Sequence, residues 1–245
     1  MASTSETGHA KNVANFEDLI SFCTGYGASY NPSKAAIQIA ALNTLHTNAK
    51  NSLTGVISAK TAFSNATNAR QAAFDPLKKL CTRIVNALDA TDATDKLVKD
   101  AKSINNKIQG KRSGDKPTPP PAGATDAAED KTISVSQQSF DSLIENFAKM
   151  IELVSSEPTY TPNETELQVS TLTTTLGSLK TTNTAVINTY TNYSNGRITR
   201  NTILYGATSG LVDIAGDVKK YVKSVFGATS PQFKQVSKLE FKKVK

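Results

Sequence analysis

Apolar residues recur every seven positions along two long stretches of the chain. The first stretch has one row of Leu42, Ala49, Val56 and Phe63 and a second row of Ile39, His46, Leu53 and Lys60. The other stretch matches them with Leu172, Leu179, Val186 and Tyr193, and with Val169, Leu176, Asn183 and Tyr190. Such rows are typical of long helices packed at a shallow angle. The pattern predicts two helices of about 30 residues each.

Each long stretch has signals for its beginning and its end. Tyr-x-Pro precedes both, at residues 30–32 and 160–162, so we expect the helices to begin there with Asn31 and Thr161 as capping residues. Ser-Asn pairs at 64–65 and 194–195 predict a break or kink at the far end.

Shorter apolar stripes with spacings of three and four residues flank both stretches and predict further helices. They comprise Leu77, Leu80, Cys81, Ile84, Val85 and Leu88, then Leu97, Val98, Ala101, Ile104 and Ile108, and later Leu211, Ile214, Ala215, Val218, Val222 and Val225. Opening helices are expected at about 13–24 and 136–155. The segment "LEFKKV" near the end alternates and is expected to be extended. Sustained alternation is absent elsewhere, which favours an all-α protein.

The two halves of the chain resemble each other. Residues 30–74 align without gaps to residues 160–204 with 13 identities in 45 positions, where chance would give about three. "NFEDLI" at 15–20 also resembles "SFDSLI" at 139–144, and Leu80 and Ile84 fall opposite Gly210 and Ile214. The sequence therefore predicts a tandem duplication of a roughly four-helix bundle with long antiparallel helices.

The predicted organisation has four parts. Residues 1–11 form a disordered N-terminal tail, and residues 12–110 form the first bundle, called the first copy below. Residues 111–133 are a linker rich in Pro, Gly and Ala. Residues 134–245 form the second copy, which ends in a basic C-terminal tail.

Residue types that support catalysis or metal binding are few. The chain has two histidines and two cysteines. His9 lies in the expected tail, and His46 occupies a position where the second copy has Leu176, so packing is favoured over a metal or catalytic role. Cys23 and Cys81 are expected to be reduced, buried thiols. We therefore predict no enzymatic activity, no metal and no cofactor.

The net charge of +7 and a pI near 9.3 are compatible with binding to an anionic partner. The candidate contacts for nucleic acid or another anion are Lys78, Lys79, Lys219, Lys220, Lys223, Lys242, Lys243 and Lys245. They do not alternate with aromatic residues as a base-stacking surface would require. An ordinary solvated face is the simpler interpretation.

The second long helix carries an uncharged outer face rich in threonine, a residue that is a poor helix former. Its candidate partner-binding residues are Thr173, Thr174, Thr181, Thr182 and Thr189. Such a face fits a protein–protein contact, and an ordinary solvated face remains the alternative.

One segment points to a family. The ending "KYVKSVFGATSPQFKQV" at residues 220–236 carries it, through Lys220, Tyr221, Lys223, Ser224, Phe226, Gly227, Ser230, Pro231, Phe233, Lys234, Gln235 and Val236. It resembles a group of uncharacterised, duplicated helical proteins of Bacteroidetes-type bacteria. The resemblance covers the C-terminal third of the chain and implies no known activity.

The polar N-terminus lacks the pattern of a secretory signal, and no stretch has the roughly 20 apolar residues of a membrane span. A cytoplasmic location is expected, and export without such a signal stays open. The leading interpretation is a non-enzymatic structural or protein-interaction protein that binds a partner or itself. The alternatives are a nucleic-acid or anionic-surface binder and a secreted helical effector.

Overall fold

A computed structural model describes residues 4–111 and 138–244, and within these ranges it contains helices but no β-strand. The α-helices are α1 Thr4–Gly25, α2 Ile39–Phe74, α3 Leu77–Asp89, α4 Asp95–Gln109, α5 Phe140–Ser155, α6 Val169–Tyr205, α7 Leu211–Phe226 and α8 Pro231–Ser237. The all-α prediction is confirmed. The predicted linker lies outside the described residues except for Lys111.

The chain forms two compact units that do not follow the predicted boundary between the copies. The first unit comprises Met1–Ser64 and Asn188–Lys245, and the second comprises Asn65–Ile187. The chain passes from one unit to the other within α2 and again within α6. Each unit therefore contains helices from both copies, whereas the sequence predicted that each copy would form a bundle of its own.

The core of the first unit shows this exchange. Its first-copy members are Val13, Phe16, Leu19, Ile20, Cys23, Tyr30, Ile37, Leu42 and Ala49. Its second-copy members are Leu204, Leu211, Ile214, Ala215, Val218, Val222 and Val236. The opening helix and early long helix of one copy thus bury their apolar faces against the last helices of the other.

The core of the second unit has the reciprocal composition. Its first-copy members are Phe74, Leu77, Cys81, Ile84, Val85, Leu88, Val98, Ala101 and Ile108. Its second-copy members are Leu143, Phe147, Met150, Ile151, Val154, Tyr160, Leu167, Leu172 and Leu179. Both cores therefore depend on both copies, because each copy supplies only one side of each.

The Tyr-x-Pro segments form corners rather than helix starts. The Tyr30 hydroxyl donates to the Ile37 carbonyl at 2.7 Å, and the Tyr160 hydroxyl donates to the Leu167 carbonyl at 3.0 Å. A short 3-10 turn follows in each copy, so α2 begins at Ile39 and α6 at Val169. The predicted capping by Asn31 and Thr161 is wrong, because the buried tyrosine holds the chain in a turn until after Ile37 or Leu167.

Both long helices continue through the predicted break. α2 has 36 residues and includes residues 64–65, and α6 has 37 residues and includes residues 194–195. Ser and Asn lower helix propensity only slightly, and tertiary packing overrides such local preferences. In the first unit the two helices are antiparallel neighbours, since Phe63 contacts Tyr190 at 5.4 Å between ring centroids and Val56 lies beside Gly196.

The predicted disordered tail is wrong for residues 4–11. These residues belong to α1, and His9 is only 3% exposed. Burial also changes the register expected between the opening helices. Phe16 matches Phe147 and Leu19 matches Met150, an offset of 131, so "NFEDLI" corresponds to "NFAKMI" at 146–151 rather than to "SFDSLI".

The helix after each long helix also aligns differently from the sequence prediction. α3 begins at Leu77 and α7 at Leu211, so Ile84 corresponds to Val218 rather than to Ile214. The connection before α7 is longer, and the Gly210 amide donates to the Gly206 carbonyl at 2.8 Å to close it. A Cβ at position 210 would lie 2.5 Å from the Gly206 nitrogen, which explains the glycine there.

The exchanged cores predict the behaviour of a cut chain. We expect that a protease site inserted between residues 113 and 132 can be cleaved while the two fragments remain one particle of 26.1 kDa. The fragments should stay together because separation would expose both cores to water. Light scattering after size-exclusion chromatography measures the mass. Two particles of half that mass in the absence of denaturant would show that each copy folds alone.

Candidate functional site

Two of the candidate lysines lie on α3 in the second unit. The Lys78 ammonium donates to Gln138 Oε1 at 3.0 Å and approaches the Gln109 carbonyl at 3.5 Å, so it bridges α3 and the end of α4. Lys79 is exposed on the same helix. Lys78 and Lys79 are close together because they are neighbours in the sequence. The hydrogen bonds of Lys78 connect α3 to the end of α4.

Three further lysines lie on α7 in the first unit. The Lys219 ammonium is half-buried and donates to the Leu239 carbonyl, and burial lowers its pKa against the opposing effect of Glu240. Lys220 pairs with Asp217 at 3.2 Å. The Lys223 ammonium lies 5.7 Å from the Phe233 ring centroid. Each of these three lysines therefore contacts another group of the protein itself.

The lysines of the C-terminal tail also have partners. Lys242 pairs with Glu240 at 3.2 Å, and Lys243 pairs with Asp213 at 2.9 Å. The hydrogen bond from Lys243, together with one from the Thr208 amide, lowers the pKa of Asp213. Lys245 lies outside the described residues. The tail therefore presents less uncompensated positive charge than its sequence suggests.

The backbone of the tail is anchored to α1. The Asn12 amide group donates to the Lys242 carbonyl at 2.7 Å, and its oxygen accepts from the Lys242 amide at 3.0 Å. Asn15 donates to the Glu240 carbonyl at 2.7 Å, and Phe241 packs edge-on against Phe16. Residues 239–244 form neither helix nor strand. The segment that was predicted to be extended is thus not helical, but it is not a β-strand either.

Sequence reasoning missed Asn12. The available signal was a polar residue in the apolar stripe of α1, and the structure places Asn12 at 2% exposure. Its side-chain amide satisfies both backbone groups of Lys242, as the backbone of a neighbouring β-strand would.

Replacing Asn12 should loosen the tail. We expect Asn12→Ala to lower the free energy of unfolding by about 1–3 kcal/mol, because the amide and carbonyl of Lys242 lose the partner of two part-buried hydrogen bonds. Asn15→Ala is the matched control, and it should cost less because water can reach the Glu240 carbonyl. Chemical denaturation measures both. Equal effects of the two substitutions would contradict a special role for Asn12.

The candidate threonines bond to their own helix. The hydroxyls of Thr173, Thr174, Thr181 and Thr182 each donate to the carbonyl four residues earlier, at 2.8–3.0 Å. These four belong to the second unit, and the half-buried Thr189 belongs to the first. Because these hydroxyls bond to the backbone of their own helix, they are not free to bond to a partner.

Isoleucines stand among these polar residues. Ile57 on α2 is 64% exposed and Ile187 on α6 is 56% exposed, and the two are identical positions of the repeat. The part of α6 in the second unit, residues 169–187, carries one charged residue, Lys180. In each unit a long helix thus exposes an isoleucine, and in the second unit the helix around it carries little charge.

The structure buries Nε2 of His46 and the thiols of Cys23 and Cys81. His46 Nε2 is buried without a hydrogen bond and lies 3.7 Å from a Glu17 carboxylate oxygen. Burial raises the pKa of both the Cys23 and Cys81 thiols to about 12, so neither is a ready nucleophile. Within the ranges 4–111 and 138–244, no group of three His, Cys, Asp or Glu residues could hold a metal ion.

Exchanging residues between the copies tests the role of His46. We expect His46→Leu to leave the melting temperature unchanged or raised, because it removes a buried nitrogen that lacks a hydrogen-bond partner. The reverse exchange, Leu176→His, should lower the stability by roughly 1–3 kcal/mol. Thermal unfolding followed by circular dichroism measures both variants. A large loss of partner binding or activity in His46→Leu with the stability retained would favour a functional histidine instead.

In comparisons with known proteins, no family model, no curated protein and no solved structure matches the chain. None of the helices in the part of the chain that the structure describes combines the length and apolarity needed to cross a membrane.

Proposed function

We propose that the protein is a non-enzymatic structural or protein-interaction protein built from two homologous helical repeats. Its outward long-helix faces would bind a partner protein or a second copy. The duplication is supported by the alignment of residues 30–74 with 160–204 and by the matching corners at Tyr30 and Tyr160. The main support for binding is the exposed isoleucine at the same repeat position in each copy.

An exposed isoleucine on its own needs no explanation, since folded proteins expose many apolar atoms. Ile57 and Ile187 differ because both copies keep the same residue where other aligned positions have diverged. Elsewhere on the helix of Ile187, the hydroxyls of Thr173 and Thr181 bond to the helix backbone and are not free for other partners. A helix face with little charge and an exposed apolar side chain loses water more readily than a highly charged one, which suits a protein interface.

Nucleic-acid binding remains the alternative, and the placement of the lysines gives it less support. Lys220, Lys242 and Lys243 pair with Asp217, Glu240 and Asp213, so part of the positive charge is compensated within the molecule. Phosphate binding would have to compete with these pairs. We expect any binding to DNA or RNA to be weak and to fall steeply with salt.

Charge placed on the isoleucines tests the proposal. We expect Ile57→Lys combined with Ile187→Lys to abolish self-association or partner binding while the melting temperature is kept, because both side chains are exposed. The matched control is Ser58→Lys combined with Asn188→Lys, which adds the same charge at the next exposed position of each helix.

Sedimentation velocity measures self-association, and affinity capture followed by mass spectrometry measures partner binding. The interaction should survive in the control and disappear in the isoleucine variant. A strictly monomeric protein without a captured partner would contradict the proposal, and so would a complex that both variants weaken equally.

A further inference from the structure

A groove of about 390 Å³ lies in the second unit, where the end of α2 meets the beginnings of α3 and α5. Its walls include Arg70, Phe74, Asp75, Lys78, Phe140 and Leu143. This volume falls in the range of roughly 300–1,000 Å³ that is common for small-molecule sites. None of the candidate partner-binding threonines lines this groove.

Arg70 is held in a fixed position at the groove. Its guanidinium carbon lies 3.9 Å from the centroid of the Phe140 ring, and Nη1 donates to Asn183 Oδ1 at 3.0 Å. Asn183 is buried and donates in turn to Asp141 Oδ1 at 2.8 Å. This chain of contacts explains the asparagine that interrupts the apolar row of α6.

Arg70 has no ion pair among those found within the described residues. Its Nε is buried without an acceptor, and its guanidinium contacts Asn183 and Phe140, neither of which is an anion. The arginine is only half-buried, and a guanidinium binds a carboxylate or phosphate more strongly than a neutral amide because the hydrogen bonds are charge-assisted. The arginine is therefore arranged to receive an anion.

Other groups of the groove define the ligand further. Lys78 adds a second cation whose hydrogen-bond partners, Gln138 and the Gln109 carbonyl, are uncharged. Asp75 supplies the groove's carboxylate, so the net charge of the lining is positive. The remaining walls include the apolar side chains of Phe74 and Leu143. A ligand with an acidic head and an apolar body would satisfy both parts.

The corresponding place in the first unit is filled. Tyr205 stands at the repeat position of Asp75, and its hydroxyl lies 2.5 Å from His9 Nδ1 and accepts from the Asn12 amide at 3.3 Å. Arg200 stands at the position of Arg70 and donates to Asn201 Oδ1 at 2.9 Å. Where the first unit has a tyrosine and its polar partners, the second unit has open space beside an arginine.

We propose that this groove binds a small amphiphilic anion, with a carboxylate or phosphate head on Arg70 and Lys78 and an apolar body against Phe74 and Leu143. The planar guanidinium offers several donors in a fixed geometry to such a head. The proposal is independent of the long-helix interface, because it concerns other residues.

The fluorescent sulfonate 8-anilinonaphthalene-1-sulfonate, an aromatic anion, is the probe. Its fluorescence should rise on binding to the full chain and fall when sodium octanoate or octyl phosphate displaces it. The stronger competitor of the two identifies the head group. Octylamine should compete at least tenfold less well, and inorganic phosphate alone tests how far the head group binds without an apolar body.

Variants locate the binding site. We expect Arg70→Gln to raise the concentration of octanoate or octyl phosphate needed to displace the probe about tenfold or more. The reason is that the substitution removes charge-assisted hydrogen bonds. Arg197→Gln is the matched control, because Arg197 also lies near an aromatic ring, 5.7 Å from that of Tyr193, but in the first unit. The control should bind as the wild type does.

Substitutions at the exposed Asp75 keep the test decisive if Arg70→Gln folds poorly. Asp75→Asn should strengthen anion binding because it removes a repulsive charge, whereas Asp75→Tyr should abolish it by filling the groove as Tyr205 does in the first unit. Thermal unfolding confirms that each variant is folded. Probe binding that no groove variant changes, or no displacement by either anion at millimolar concentration, would overturn the proposal.

Discussion

The sharing of each hydrophobic core between the two halves of the chain is the constraint on which the rest of the structure depends. α1 packs against α7 and α8, and α5 packs against α3 and α4, so the opening helix of each copy is covered by the closing helices of the other. Fully burying a side chain such as Phe16 or Phe147 contributes about 1.5–3 kcal/mol, and neither is buried without the other copy. The long helices are continuous because they carry the chain between these shared cores.

Periodicity predicted which faces are buried but not which elements cover them. The row of Leu42, Ala49 and Val56 is buried as expected, and so is the row of Leu172, Leu179 and Val186. A seven-residue spacing is a property of one helix, and it is satisfied equally by a partner from the same copy or from the other. The exchange between copies therefore could not be read from the spacing.

Polar residues within apolar stripes proved more informative than the charges. Asn12 anchors the tail and Asn183 positions Arg70. Asn183 could be recognised in the sequence as the interruption of an apolar row, and Asn12 as a polar residue one turn before Phe16. Their partners lie far along the chain, so only the folded structure supplies them. The lysines were predicted from the net charge and from their places on helix faces and in the tail, which do not show that Lys243 pairs with Asp213 or that Lys219 donates to a carbonyl.

The composition of the first unit also fixes the order in which a growing chain can fold. All the elements of the second unit lie between Asn65 and Ile187, so its core is complete once α6 has been partly synthesised. The core that begins at Val13 needs Val236, which is made after every residue of the second unit. During translation, Phe16 and Leu19 of α1 therefore stay exposed while the second unit folds first. The usual sequence, in which the N-terminal part of a protein folds before the rest, is reversed.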